Sequence, residues 1–223
     1  MADLTPMKGD EFVAKLLAGE RDFRRIKLEE GCDLSAHERY DALRAFLVNA
    51  QGDLKENPVK LIGADLSFLT APNLYLPYTK AAGTVLAHAD LHGSTFDYSD
   101  FSEADLSYSN LNNAYFRRST LTEANLVAAN LHNSWLTFAN FSNANLSCAN
   151  LYAALLGDAN LSGTNFDRAD LSDANLKGVK NLGKAKYLSR AHFLNTEISR
   201  EDIAVCKKAL EQRNSLIYRS FWA

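Results

Sequence analysis

From Leu86 to Leu176 every fifth residue is Leu or Phe, in nineteen rungs without a slip of register. The ladder runs Leu86, Leu91, Phe96, Phe101, Leu106, Leu111, Phe116, Leu121, Leu126, Leu131, Leu136, Phe141, Leu146, Leu151, Leu156, Leu161, Phe166, Leu171, Leu176. Two residues before each rung, from Ala89 to Ala174, stands only Ala, Ser or Thr, and the residue just before the rung is mostly Asp or Asn. A helix repeats its apolar positions at three and four residues and a strand at two, so an unbroken five fits neither. The chain therefore turns once per pentapeptide. The large rung and the small residue before it point inward, where crowded backbones leave no room for a bigger side chain. Asp and Asn before the rung suit tight turns, because their short polar side chains bond nearby backbone groups.

The motif Ala-(Asp/Asn)-(Leu/Phe)-x-x, as in Ala104-Asp105-Leu106, Ala124-Asn125-Leu126 and Ala144-Asn145-Leu146, resembles the signature of the pentapeptide repeat proteins. Looser matches such as Gly63-Ala64-Asp65-Leu66-Ser67 and Leu76 extend it back to about residue 61. The resemblance implies an all-β solenoid, a right-handed quadrilateral β-helix of four pentapeptides per coil, with short capping or inserted α-helices at both ends. At about 4.8 Å per coil, five to six coils make a rod on the order of 25 Å long. One structural domain is expected. Residues 1–60 would hold a cap helix, the first coil and an inserted helix, 61–180 the β-helix, and 181–223 a capping helix and tail.

A β-helix must cover its ends, since an uncovered coil invites end-to-end association. Residues 10–18 place Phe12, Val13, Leu16 and Leu17 on one helical face with Gly19 as a stop, and residues 19–28 lead into a first coil. Ser35 with Glu38 reads as a capping box opening a helix with Tyr40, Leu43, Phe46 and Leu47, inserted against the first coils. Pro72 and Pro77 mark a stretch of imperfect rungs, to Thr84, expected to bulge. Past Asn181 the pattern dissolves, and Ser199 with Asp202 starts a helix with Ile203, Cys206 and Leu210 inward. The apolar tail, 215–222, serves either as an arm folded back on the body or as a homodimer contact.

Candidate chemistry is sparse. Cys32, Cys148 and Cys206 lie far apart with no metal or disulfide spacing, and no catalytic motif, phosphate loop or cofactor signature is present. His92 and His132 share a column but stand two coils apart, roughly 10 Å, beyond one metal ion. Glu103 and Glu123 are neighbours in a repeat-generated surface column. The N-terminus lacks a basic start and apolar run, and no stretch is long and apolar enough to span a membrane, so a cytoplasmic protein is expected.

Aligning the chain at twenty residues separates the faces. On the face of Phe96, Phe116, Leu136 and Leu156, the residue before each rung reads Thr95, Tyr115, Trp135, Leu155, and the residue two after reads Tyr98, Arg118, Phe138, Asp158. Tyr75 and Tyr78 extend both columns, and Arg117 sits between them. The face of Phe101 and Leu121 is polar and acidic instead. Tyr98, Tyr115, Arg117, Arg118, Trp135 and Phe138 are thus candidate protein-binding residues, because aromatic and Arg side chains make interface hot spots. Cross-strand stabilisation of the sheet is the structural alternative.

Charge divides the chain. Residues 86–176 hold ten acids and three arginines, near −7, while residues 177–223 hold ten Lys or Arg and four acids, near +6. The expected function is a non-enzymatic protein-interaction scaffold, without cofactor or small-molecule substrate, that meets an unidentified protein partner in bacterial regulation. The alternative, carried by resemblance to DNA-mimicking family members, is binding to a type II topoisomerase such as gyrase. The basic end lacks a nucleic-acid reading motif.

Overall fold

The computed structural model describes residues 3–211, and it is a right-handed quadrilateral β-helix. The residue before each rung pairs in parallel with the residue twenty further on, as in Lys60↔Lys80, Asp65↔Val85, Thr70↔Asp90 and Tyr75↔Thr95. Those four columns are the four faces of the rod. Backbone groups close the ladder in both directions: the Tyr115 N–H donates to the Ser94 carbonyl at 2.9 Å, and the Tyr115 carbonyl accepts from the Phe96 N–H at 2.7 Å. All nineteen rungs are buried, none more than 3 % exposed.

The small residue two before the rung is buried with it, which explains its restriction. Where it is Ser or Thr, the buried hydroxyl donates to a backbone carbonyl, across one coil for Thr84 and Thr164 and within the same turn for others. Ser109 donates to the Leu106 carbonyl at 2.6 Å, Ser119 to that of Phe116 at 2.6 Å and Ser134 to that of Leu131 at 2.7 Å.

The corner itself lies elsewhere than the Asp and Asn residues suggested. The left-handed residue is two after the rung, where non-glycine φ runs from 54° to 64° between Phe68 and Asp173. Asp or Asn before the rung braces that corner from outside. Asp105 accepts the Ser107 N–H at 3.0 Å, and the amide of Asn125 donates back to Asp105 across one coil at 3.0 Å. On the next face Asn110 donates to Asp90 at 2.9 Å, Asn130 to Asn110 at 3.3 Å and Asn150 to Asn130 at 3.2 Å.

At the N-terminus, strand β1 (Thr5–Met7) lies parallel on β2 (Ile26–Leu28) of the first coil, and helix α1 (Gly9–Leu17) buries Phe12, Val13 and Leu16 over its end. Gly19, at φ 89°, ends this cap. The first coil contributes three sides, through Asp22↔Lys60, Lys27↔Asp65 and Asp33↔Thr70. Helices α2 (Tyr40–Asn49) and α3 (Gln51–Glu56) replace the fourth. They bury Leu43, Leu47 and Leu54, and the Tyr40 hydroxyl donates to the Pro72 carbonyl at 2.8 Å. The expected capping box does not form: Ser35 donates to Asp33 at 2.6 Å, five residues before the helix begins at Tyr40.

No bulge forms at Pro72 or Pro77, because coil pairing holds its twenty-residue step from Lys60 to Lys180. Both prolines occupy the position after the rung, where in other turns the N–H reaches a carboxylate or amide side chain, as those of Ser67, Ser102 and Ser107 reach the Asp two residues back. Here those residues are Thr70 and Tyr75, so a missing donor loses nothing. One column therefore counts eight residues, Asp22, Lys60, Lys80, Asp100, Thr120, Asn140, Asn160 and Lys180, and the rod is about 34 Å long at about 4.8 Å per step.

Pairing continues past Asn181. Asn165↔Lys186, Asp170↔His192 and Asn175↔Glu197 are offset by 21 or 22 residues, because single 3-10 turns at Leu182–Lys184 and Leu188–Arg190 lengthen the last coil. Strands β3 (Asn175–Leu176) and β4 (Glu197–Ile198) close it. Helix α4 (Arg200–Glu211) starts at Ser199, whose hydroxyl donates to Asp202 and accepts the Asp202 N–H at 3.3 Å, and it buries Cys206. Residues 215–222, read as an arm or dimer contact, and the side chain of Leu210 lie outside the described residues.

Candidate protein-interaction face

Four coils bring the singled-out side chains together. Tyr75, Thr95, Tyr115, Trp135 and Leu155 form one unbroken bridge column. Tyr115 and Trp135 stack with centroids 5.7 Å apart, and across the face Tyr78 and Tyr98 stack at 5.1 Å. Trp135 is 41 % exposed, Phe138 48 % and Tyr98 50 %. The inserted helices leave these rings open and reach the head of the face, where Gln51 of α3 lines a cavity together with Tyr75 and Tyr78.

The two arginines are held differently. Arg117 donates from Nε to Asp97 Oδ2 at 2.9 Å and from its backbone to Oδ1 at 2.8 Å, while its guanidinium lies 5.6 Å from the Tyr115 ring centroid and 6.0 Å from that of Trp135. Asp97 is buried, so this ion pair fills the floor between the aromatic columns. Arg118 lies 4.6 Å over the Phe138 ring and is exposed. Beside Asp97 a cavity of about 220 Å³ is lined by Gln51, Tyr75, Pro77, Tyr78, Thr95, Asp97, Tyr98, Tyr115 and Arg117. Burial, and then the Asp97 charge, push the Tyr75 phenol above its ordinary value and keep it a hydrogen-bond donor.

A second aromatic column escaped the sequence reading. Phe68, His88 and Tyr108 stack at 4.9 Å each with nearly parallel rings, and Phe68 and Tyr108 are exposed. The same twenty-residue alignment exposes it, two after Leu66, Leu86 and Leu106. His132 and Tyr152 stack at 5.5 Å on a third face. Stacking alone is thus a general property of this rod. The combination of guanidinium groups, stacked rings and a cavity belongs to one face.

The other candidates are ordinary surface groups. His92 is paired with Asp90 at 2.8 Å and His132 with Asn112 at 3.1 Å, and no metal-holding cluster occurs among the described residues. Glu103 and Glu123 are exposed corner residues at φ 59° and 60°. Burial pushes the Cys32 thiol up to about 11 and that of Cys206 up to about 12, so both stay protonated, and Cys148 is exposed. Among the described residues no helix is long and apolar enough to cross a membrane.

Residues 84–123, 99–136, 124–156 and 144–180 match the family model described as Pentapeptide repeats (8 copies). Comparison with curated proteins finds no match. Among solved structures, full-length QnrB1, a plasmid-mediated fluoroquinolone resistance protein, is 12 % identical over 93 % of this chain and 97 % of its own, with a TM-score of 0.40. HetL, a pentapeptide repeat protein involved in heterocyst differentiation regulation from the cyanobacterium Nostoc sp. strain PCC 7120, is 23 % identical over 86 % and 92 %, with a TM-score of 0.30. Rfr23 of the cyanobacterium Cyanothece 51142 is 23 % identical over 69 % and 96 %, with a TM-score of 0.24.

Proposed function

Since residues 84–180 are pentapeptide repeats of this family, we propose that the chain is a non-enzymatic scaffold that presents its aromatic and arginine face to a protein partner, in bacterial regulation in the cytoplasm. The observation that carries this reading is the placement of Arg117 against the half-buried Tyr115 and exposed Trp135 rings and of Arg118 over the exposed Phe138 ring. Aromatic and Arg side chains supply most hot-spot energy, and groups already fixed in place lose little freedom on binding. The test is a pull-down with the Tyr115→Ala/Trp135→Ala double variant. It should keep the parent's melting curve and lose the captured partner. A folded double variant that keeps the partner takes these rings out of the interface, and one that unfolds assigns them to the sheet.

The acidic excess of the repeat favours a second reading, a DNA mimic directed at a type II topoisomerase such as gyrase. Duplex DNA over the roughly 22 Å that residues 86–176 span carries on the order of thirteen charges, against a net near −7 from ten acids and three arginines there. One of those acids, Asp167, is also paired with Arg190 from outside the segment. Lack of any effect on gyrase supercoiling at high protein excess removes the mimic.

A further inference from the structure

We propose that the trough at the head of the aromatic face takes a proline-rich segment of the partner, in extended polyproline form with an acidic residue beside the prolines. This deepens the interaction-face reading above and rests on it. Two aromatic columns, Tyr75 with Tyr115 and Tyr78 with Tyr98, flank the cavity, Asp97 and Arg117 line it, and Gln51 of α3 stands at its head. At about 220 Å³ the cavity falls short of the roughly 300–1,000 Å³ of small-molecule sites. A side chain or two of a longer ligand fits it better.

The chemistry of the walls narrows the ligand further. Strand addition is blocked, because the N–H and C=O groups of the bridge column are taken up between coils: Thr95 donates to Leu74 and accepts from Leu76, and Tyr115 donates to Ser94 and accepts from Phe96. A cationic ligand needs a ring face, and stacking takes one face of each ring in the pairs Tyr78 with Tyr98 and Tyr115 with Trp135, while the Arg117 guanidinium against the latter pair repels a cation. Ring edges, which carry the positive end of the aromatic quadrupole, and phenol hydroxyls remain. The remaining N–H groups of Arg117 only donate, the four phenols and the Gln51 amide donate and accept, and the lone carboxylate, Asp97, already accepts from Arg117 at both oxygens, so no acceptor-only group is left open. Such a site selects a ligand rich in carbonyl groups and poor in N–H. Proline lacks the N–H, and a polyproline helix leaves its carbonyls unpaired and its shape preformed. Aromatic-lined grooves bind it for that reason. Charge sets the flank: Asp97 neutralises Arg117, and Arg118 has only the Phe138 ring beneath it, with Asp158 next in the column beyond.

Fluorescence anisotropy with the purified full chain tests this, using a labelled oligoproline ending in two glutamates. Saturable binding is expected, weakened about tenfold or more by Tyr98→Ala or Tyr115→Ala and unchanged by Phe68→Ala on another face. Tyr98→Phe, which keeps the ring stack and removes one donor, should also weaken it. Replacing the glutamates by lysines should weaken binding to the parent and make little difference to Arg118→Ala. A glycine-serine peptide with the same glutamates that binds as well, or an oligoproline that does not saturate, overturns the ligand class. If partner capture still depends on Tyr115 and Trp135 in that case, the interaction face survives the loss of this inference.

Discussion

Arg117 lies across Asp97, its counterpart one coil earlier, and the two share the floor of the aromatic face, with Nε 2.9 Å from Oδ2. Asp97 is buried and the guanidinium is about half exposed, so the pair is asymmetric. Removing the arginine side chain leaves a buried carboxylate without its cation, held by the backbone N–H at that position, whereas removing the carboxylate leaves a cation that water can reach. Arg117→Met should therefore cost about 2–3 kcal/mol and Asp97→Asn about 1 kcal/mol. Urea denaturation compares them, and equal losses would contradict the burial described for Asp97.

Leu126 sits mid-ladder with no exposed surface. Leu126→Ala should cost about 2–5 kcal/mol, since stacked coils pinned by backbone bonds above and below cannot collapse onto the void. A variant that melts like the parent would place this side chain outside the core.

Ala128 occupies a left-handed corner at φ 54°. A β-branched side chain there is strained, so Ala128→Val should lose about 1–3 kcal/mol, while Ala128→Gly should be close to neutral or stabilising. Thermal melts of the two variants should move apart, and a valine that is tolerated as well as glycine argues against the corner assignment.

The three thiols should divide cleanly. Burial holds Cys32 and Cys206 protonated, with values of about 11 and about 12, and Cys148 is exposed. At mildly alkaline pH, iodoacetamide should modify the folded protein once, and Cys148→Ser should abolish that label. Mass spectrometry finding modified Cys32 or Cys206 before unfolding would refute the division.

The hydrogen bond from Arg24 holds the Asp22 carboxyl down at about 2, below its ordinary value. A depressed folded value means that the pair's contribution is present above the ordinary carboxylate range and fades as pH falls through about 2. Both side chains are largely solvent-exposed, so the effect on stability is small. NMR titration is the suitable readout: Arg24→Ala should return Asp22 to the ordinary range, and an unmoved midpoint would mean that the pair does not persist in solution.

How much of this was readable beforehand varied with the physics involved. The five-residue period gave the coil and all nineteen buried rungs, because only one face of each pentapeptide can be apolar. It also brought Tyr115 beside Trp135, since an unslipped register fixes neighbours at twenty residues. The corner was misplaced because Asp and Asn were read for their turn preference, while here they brace a corner made two residues after the rung. A better signal was present: from Phe68 to Gly178 that corner column contains no Val, Ile, Thr or Pro. The Pro72–Thr84 stretch misled because proline was weighed as a breaker without asking whether its missing N–H had a partner. The cavity beside Asp97 was not readable at all, because it depends on where α3 comes to rest, and no periodicity specifies that.

Three columns of the rod begin in the first coil, at Asp22, Lys27 and Asp33, but the aromatic column begins one coil later, at Tyr75, because α2 and α3 occupy the missing side. The aromatic face is consequently a lane closed at its head and open along its length. On an endless repeat a bound chain could slide by one coil and meet a similar surface. Here the wall at Gln51 gives it a place to stop, so an irregularity outside the repeat supplies the address that the repeat cannot.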